Sequence, residues 1–381
     1  MLELKDGIFY VGVKDERLGA YNNAYLVKGE KTALIDTVSE ELSEQYIKNI
    51  EEIMPLKDID YLICNHSEPD KSGAVKHVLE LNSNITVIGT IAAIKNIKEI
   101  VNADVNEQIA KNGAVIELGS KTLEFCILPN LNWPDSMVTY ERDSKTLFSC
   151  DIFSSYCCND VVTEKINGKI FELGLKLYFD EKLSPYSDFV RTAMDKLSKL
   201  DIDQAYTGFG PVITDNVNDV IEKYTKWSNP KENKEFIVAV FYASNYGYTR
   251  EMATVVSNTL KECGIKTEYF DISNGDVEDV VENLNNADAL VFGSPTVNRT
   301  APKCIWDLIS YIDMVNSRNK PYFVFGSYGW GGEATMLIHK HLEEMKLRPF
   351  SKPFGAILKL SDEKKAELQQ YTLNFAKSLK K

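Results

Sequence analysis

Residues 236–253 read FIVAVFYASNYGYTREMA. The first nine form a continuous apolar and β-branched run bounded by turn residues, the pattern of a strand buried on both faces of a parallel sheet. A helical pattern follows, TREMATVVSNTLKECG (249–264). Two more runs of the same kind, ALVFGSPT (289–296) and YFVFGSYG (322–329), recur with helical stretches between them. Strand, helix, strand repetition with short loops predicts an α/β fold built on a doubly wound parallel sheet.

Upstream, KWSNPKENK (226–234) is polar, with a proline and two asparagines, and separates this half from another apolar-patterned one. The 381 residues exceed one ordinary domain and suit two, each with its own core. The expected division is 1–228 and 235–381. The first half carries short β-rich runs early (IFYVGV, AYLVKG, KTALIDT) and helical pieces between later ones (YLICNH, ITVIGT, LEFCILP, TLFSCD), which suggests stacked sheets flanked by helices.

A net charge of −13 would repel nucleic acid or an anionic lipid surface, so neither is expected as a partner. No apolar run approaches the roughly 18 to 20 residues of a membrane span, and the first residues, MLELKDGIFYVGVKDERLG, lack the apolar stretch of a secretory signal. The seven cysteines form no C-x-x-C pair, which argues against a disulfide framework or zinc ribbon and for a reducing cytoplasm. Cys157 and Cys158 adjoin and read as two unrelated thiols.

In an open parallel sheet a ligand binds beyond the carboxyl ends of the strands. The first loop there, Ser244-Asn245-Tyr246-Gly247-Tyr248-Thr249, enters a helix and offers hydroxyls and backbone N–H groups that hold phosphate without a basic residue. The second contains Ser294-Pro295-Thr296-Val297-Asn298, and the third Ser327-Tyr328-Gly329-Trp330-Gly331. Small residues leave room for a planar ring and aromatics can stack on it. A flat cofactor with one phosphate satisfies all three.

The loops in FYASNYGYTREMA, FGSPTVNRTAPK and FGSYGWGGEA resemble those of flavodoxins, and specifically the flavodoxin half of the A-type flavoproteins, also called flavodiiron proteins. The resemblance extends to the first half through GAYNNAYLVKGEKTALIDTV, LNWPDSMVTY and LFSCDIFSS. It implies a metallo-β-lactamase-like αββα sandwich ahead of the flavodoxin-like domain, FMN on the three loops, a head-to-tail homodimer in which the flavin of one subunit faces the metal-type cavity of the other, and a rubredoxin- or ferredoxin-like electron donor. In that family a pair of irons receives electrons from FMN and reduces dioxygen or nitric oxide.

The family's iron ligands do not all carry over. Within NHSEPDKSG, His66, Glu68 and Asp70 match, but Lys71 stands where the family's second histidine belongs. In LNWPDS the expected histidine is Asn132; Asp151 keeps the bridging carboxylate; in TGFGPV the last histidine is Phe209. A protonated amine and a phenyl ring offer a metal no lone pair, and a neutral amide is a poor ligand for divalent iron. A diiron centre is therefore not expected, Lys71 is expected to offset the carboxylates in the metal's stead, and a single metal on His66 and carboxylates stays open.

The expected function is FMN-dependent electron transfer without normal diiron chemistry. An oxygen or nitric oxide reductase with an altered metal site, and a non-enzymatic carrier or scaffold, remain as alternatives, and no catalytic residue is assigned. His77, His339 and His341 are expected on the surface.

Overall fold

The computed structural model describes residues 2–15, 20–157, 160–161, 168–229 and 235–379. Cys158 and residues 230–234 of the expected linker lie outside that set. Two compact units, Met1–Pro230 and Lys231–Lys381, make up the chain. Among the described residues no helix is long and apolar enough to cross a membrane.

In the first unit a seven-stranded sheet runs, in spatial order, Leu2–Lys5, Ile8–Tyr10, Tyr25–Lys28, Thr32–Ile35, Tyr61–Ile63, Thr86–Gly89 and Glu107–Ile109. Its first four strands pair antiparallel and the rest parallel. A five-stranded sheet, Val115–Glu117, Thr122–Ile127, Met137–Glu141, Thr146–Cys150 and Gln204–Thr207, faces it. Side chains alternate between faces, as the period of two requires. Tyr25 and Val27 point between the sheets to meet Phe125, Phe148 and Tyr206, while Leu26 points the other way, into a core with Tyr46 and Ile50 of the helix Ser43–Glu51. On the far side, Leu147 and Ala205 pack against Leu175, Val190 and Ile221 of the helices Gly168–Tyr178, Ser187–Leu197 and Val217–Ser228. The result is helix, sheet, sheet, helix. Each large apolar side chain buried this way contributes roughly 1.5–3 kcal/mol.

The second unit is a parallel sheet in which Ile237–Tyr242 lies between Lys266–Asp271 and Ala289–Pro295, followed by Pro321–Tyr328, which pairs with Arg348–Pro349 and Phe354–Ile357. Both faces are covered. Val238 and Val240 meet Met252 and Val256 of Tyr248–Glu262 and Leu368 and Phe375 of Asp362–Leu379. Ala239 and Phe241 meet Ile305 and Leu308 of Lys303–Ser310 and Ile338 and Leu342 of Glu333–Glu344. That double covering is why these strands read as unbroken apolar runs. The order in which strands are added reverses beside Ile237–Tyr242, the switch point at which a doubly wound sheet opens a crevice.

Candidate functional sites

Three loops meet at the carboxyl end of the second unit's sheet. The Thr249 and Ser327 hydroxyls lie 2.8 Å apart, and the Thr296 amide donates to the Ser327 carbonyl at 3.0 Å.

The first loop ends at Gly247, whose φ of +85° opens the helix Tyr248–Glu262 without a side-chain cap of its own. Nothing lies within 4 Å of where a Cβ on Gly247 would project. Ser244 Oγ accepts from the amides of Gly247 at 3.1 Å and Arg250 at 3.2 Å, and the Ser244 amide donates to Ser273 Oγ at 2.9 Å. The loop is thus held before any ligand arrives, Ser244 capping the Arg250 amide, and the amides that open a helix are where an anion binds. Asn245 and Tyr246 are exposed.

In the second loop Ser294 is buried and donates to the Pro295 carbonyl at 2.9 Å, so its hydroxyl is turned away from the surface. Val297 and Thr300 exchange backbone hydrogen bonds of 2.9 and 3.0 Å, closing a two-residue turn with Asn298 at φ +48° and Arg299 at +64°. Such turns favour asparagine followed by glycine. Holding an arginine in the second position costs about 1–2 kcal/mol of left-handed strain. Its guanidinium pairs with Glu333 at 3.0 Å.

The third loop leaves Trp330 wholly exposed. Thr296, Asn298, Arg299, Gly329, Trp330, Gly331 and Glu333 line a cavity of about 730 Å³. A Cβ on Gly329 would meet only Leu358, at 3.7 Å, whereas Cβ atoms on Gly293 and Gly326 would strike the Phe325 ring at 2.4 Å and the Ser294 carbonyl at 2.2 Å. Those two glycines therefore serve strand packing, not ligand approach. The sequence reading missed Arg299 and Glu333. Their signal was there: opposite charges in loops otherwise free of charge.

The second cluster forms where Tyr61–Ile63, Thr146–Cys150 and Gln204–Thr207 run out in the first unit. Glu68 precedes the one-turn helix Pro69–Ser72, which carries Asp70 and Lys71 and is tied down by the Thr37 amide and hydroxyl, both donating to the Lys71 carbonyl at 2.7 and 2.8 Å. A register irregularity between Phe148 and Cys150, with Cys150 at φ +51°, leads into Asp151. Asn132 is also left-handed, at +68°, a conformation asparagine tolerates better than most residues.

These residues converge. His66 and Lys71 are entirely buried and Asp151 nearly so. Lys71 Nζ donates to Asp70 Oδ2 at 2.5 Å and sits 5.8 Å from the centre of the Phe209 ring. The Asn132 amide donates to Asp151 Oδ2 at 2.8 Å and to Glu68 Oε2 at 3.1 Å. His66 Nε2 faces Asp151 Oδ1 at 3.4 Å, the separation of an ion pair more than of a formed hydrogen bond. Tyr156 and Tyr178 flank Phe209, with ring centres 5.9 and 6.1 Å from it. The void beside His66, Cys150 and Asp151 measures about 10 Å³, room for one water at most.

The electrostatics follow from these contacts. Burial would drive Lys71 toward its neutral form, but Asp70 and Asp151 more than offset this and hold it charged, above the usual lysine range. Burial would likewise lower His66, yet Asp151, with Asp70 beyond, raises it to about 9. Asp151 resists burial through His66, Lys71 and the Asn132 amide and stays well below the carboxylate range, while burial, Asp70 and Asp151 push Glu68 upward.

Among the other histidines, His77 is half-exposed beside Glu40 and Glu80 and His341 is exposed. His339 departs from the surface expectation: it is buried on the core face of its helix, where the Tyr322 hydroxyl lies 3.2 Å from its Nδ1.

Comparison with known proteins places both units. The profile of the ODP family beta lactamase matches residues 20–207 and that of the flavodoxin family residues 240–372. The flavo-diiron protein FprA2 of Clostridium acetobutylicum is 34% identical, over 99% of each chain. Diflavin flavoprotein A 1 of Synechocystis sp. is 31% identical over 94% of this chain, which spans only 64% of that longer protein. Among solved structures, the rubredoxin oxygen:oxidoreductase of the anaerobe Desulfovibrio gigas superposes with a TM-score of 0.70 at 25% identity, covering 100% of this chain and 98% of that one.

Proposed function

This chain belongs to the flavo-diiron protein family, and from that premise we propose that it is an FMN-dependent electron-transfer flavoprotein whose first unit has exchanged the metal pair for an internal ion-pair network. The observation that carries the reading is Lys71, a wholly buried ammonium seated on Asp70. A pair of irons does not fit this donor set. Lys71 and Phe209 supply no lone pair, and Asn132 spends its amide protons on Glu68 and Asp151. One cation does in that pocket what metal charge does elsewhere: it lets buried carboxylates stay ionised together.

FMN fits the other site. The start of Tyr248–Glu262, with Ser244 and Thr249 beside it, would take the phosphate, and Thr296, Asn298, Gly329, Trp330 and Gly331 would take the ring. Bound there, the flavin would supply one- and two-electron transfer. Ser244 fixes the phosphate loop, Gly329 leaves the ring its space, and Trp330 offers an apolar face that sheds water on contact.

The donor we propose is a small iron–sulfur protein of the rubredoxin or ferredoxin type, in line with the name of the Desulfovibrio relative. A head-to-tail homodimer would cover the exposed Trp330 and Tyr246. Among the described residues, Cys64, Cys126, Cys150, Cys157 and Cys304 form no disulfide, which would suit a reducing cytoplasm.

Metal analysis and the visible spectrum of protein expressed anaerobically with excess iron test the reading together. One FMN and substantially less than one iron per chain, with neither O₂ nor NO consumed, is expected; two irons per chain would remove it. A second reading, one metal ion on His66, Glu68 and Asp70, draws on their ligand atoms lying within 4.8 Å of one another, and one equivalent of bound metal would favour it. Light scattering on the same sample reads the dimer.

A further inference from the structure

We infer that Arg299 sets the charge balance of the flavin site, its guanidinium, steered by Glu333, stabilising the negative charge of the two-electron reduced flavin. This rests on the FMN reading above.

Three observations converge on Arg299. It occupies the second place of a tight turn at φ +64°, where glycine would be unstrained, so the turn itself does not call for an arginine. Strain at a loop that lines a cavity points to use. Among the seven described residues lining that cavity, Arg299 is the single cation and Glu333 the single anion. Glu333, first residue of its helix, is held charged by its own backbone amide and by Arg299, and its 3.0 Å contact with Nε fixes where the guanidinium points.

The chemistry gives that cation a task. The oxidised flavin ring is neutral; two electrons and one proton, taken from a reduced iron–sulfur donor and from water, leave it with one negative charge. The whole chain carries −13, a field that opposes an added anion. Arg299 is largely exposed in the open cavity. A ring seated beside it would displace water, and the charge would then act across a poorer dielectric. Charge near the ring is one of the levers by which a protein tunes a flavin.

The test uses full-length protein with R299G, R299K and E333Q, each titrated with FMN and measured for thermal stability, affinity for oxidised FMN and midpoint potential. R299G removes the charge and relieves the left-handed strain, so its melting temperature should equal or exceed the parent's. Oxidised FMN should bind within threefold of the parent, while reduced FMN binds at least tenfold more weakly, a midpoint lowered by about 30 mV for a two-electron couple. R299K should keep most of the parent's potential, and E333Q should raise it. An R299G protein that binds FMN with an unshifted midpoint overturns the inference, as does R299K falling as far as R299G. If the parent chain itself takes up no FMN, the flavin reading fails and this one with it.

Discussion

Lys71 Nζ stands 5.8 Å from the centre of the Phe209 ring, so two of the three residues that the proposed reading sets in place of metal-binding histidines pack against each other. On that reading the exchange is cooperative in space. Phe209, flanked by Tyr156 and Tyr178, walls off one side of the ammonium, and the carboxylates of Asp70 and Asp151 hold the other. Gly208 completes the fit, because a Cβ there would come within 2.6 Å of Lys71 Cε.

Replacing Lys71 by methionine keeps the stem's bulk and removes its charge. Asp151 would then keep only His66 as a buried counter-charge, and Asp70, 36% exposed, would lose its partner. Removing one partner of a fully buried pair costs about 3–5 kcal/mol, and with Asp70 partly open to solvent screening brings the expectation down to about 1–3 kcal/mol. Urea unfolding of K71M should show that loss; a variant within about 1 kcal/mol of the parent would mean the ammonium is not what holds the carboxylates.

Asn132→Asp isolates the bridging amide. Aspartate also tolerates the left-handed backbone, so the fold of the loop should survive. Two donors are replaced by a third carboxylate beside Glu68 and Asp151, and the expected loss is about 1–3 kcal/mol. Divalent manganese should raise the melting temperature of N132D by several degrees and leave the parent's nearly unmoved. Equal metal responses in the two proteins would contradict the assignment.

The pH dependence follows from His66. Its folded-state pKa, about 9, lies above the roughly 6.5 of an unfolded histidine. The raised value means the folded state holds the proton more tightly. The stabilisation is fully present below about pH 6.5 and is lost as pH rises through about 9. The Glu68 amide, 3.4 Å from Nδ1, favours the neutral ring, but the buried Asp151 charge outweighs so long a contact. Chelator-washed protein should lose up to about 3 kcal/mol of stability between pH 6.5 and 9, and H66Q should not. Parallel pH profiles for the two would dispose of the ion pair.

Much of the fold was legible because burial writes it plainly. Ile237–Tyr242, Ala289–Pro295 and Pro321–Tyr328 are covered on both faces, so their composition alone announced a parallel sheet. Lys266–Asp271, at the sheet's edge and mostly half-buried, did not stand out, since an edge strand with polar positions resembles a loop. At the sites, identities were legible and directions were not. Ser294 was named as a small residue that leaves a ring room, yet it is buried with its hydroxyl on Pro295; Arg299 was passed over because its place in a strained turn appears only in the backbone angles. His339 misled because a helix face cannot be assigned from its polarity when the Tyr322 hydroxyl waits inside, 3.2 Å from the imidazole Nδ1.

Ser244→Ala tests the phosphate loop. The hydroxyl accepts from Gly247 and Arg250, and losing a cap of this kind costs about 0.5–2 kcal/mol. FMN affinity should fall about tenfold or more while riboflavin, which lacks the phosphate, loses little. Equal losses for the two ligands would move the phosphate elsewhere.

The proposed exchange can also be tested in reverse. Changing Lys71, Asn132 and Phe209 together to histidine restores three imidazoles to a pocket that still holds His66, Glu68, Asp70 and Asp151. It removes the ammonium that competes with a metal for the carboxylates and the ring that fills the space beside it. Each change alone should do little: K71H leaves Phe209 in place, and F209H leaves a cation at the centre. Together they should let the protein take up iron, because a complete four-ligand zinc site supplies roughly 10–16 kcal/mol, far more than the few kcal/mol the ion-pair network contributes. Anaerobic expression with excess iron, followed by metal analysis, should find the triple variant loaded and the parent and single variants nearly empty. A triple variant that stays empty while remaining folded would show that the pocket is closed by its surrounding packing, with Cys150 and the void behind it the first place to look, and not by the three side chains themselves.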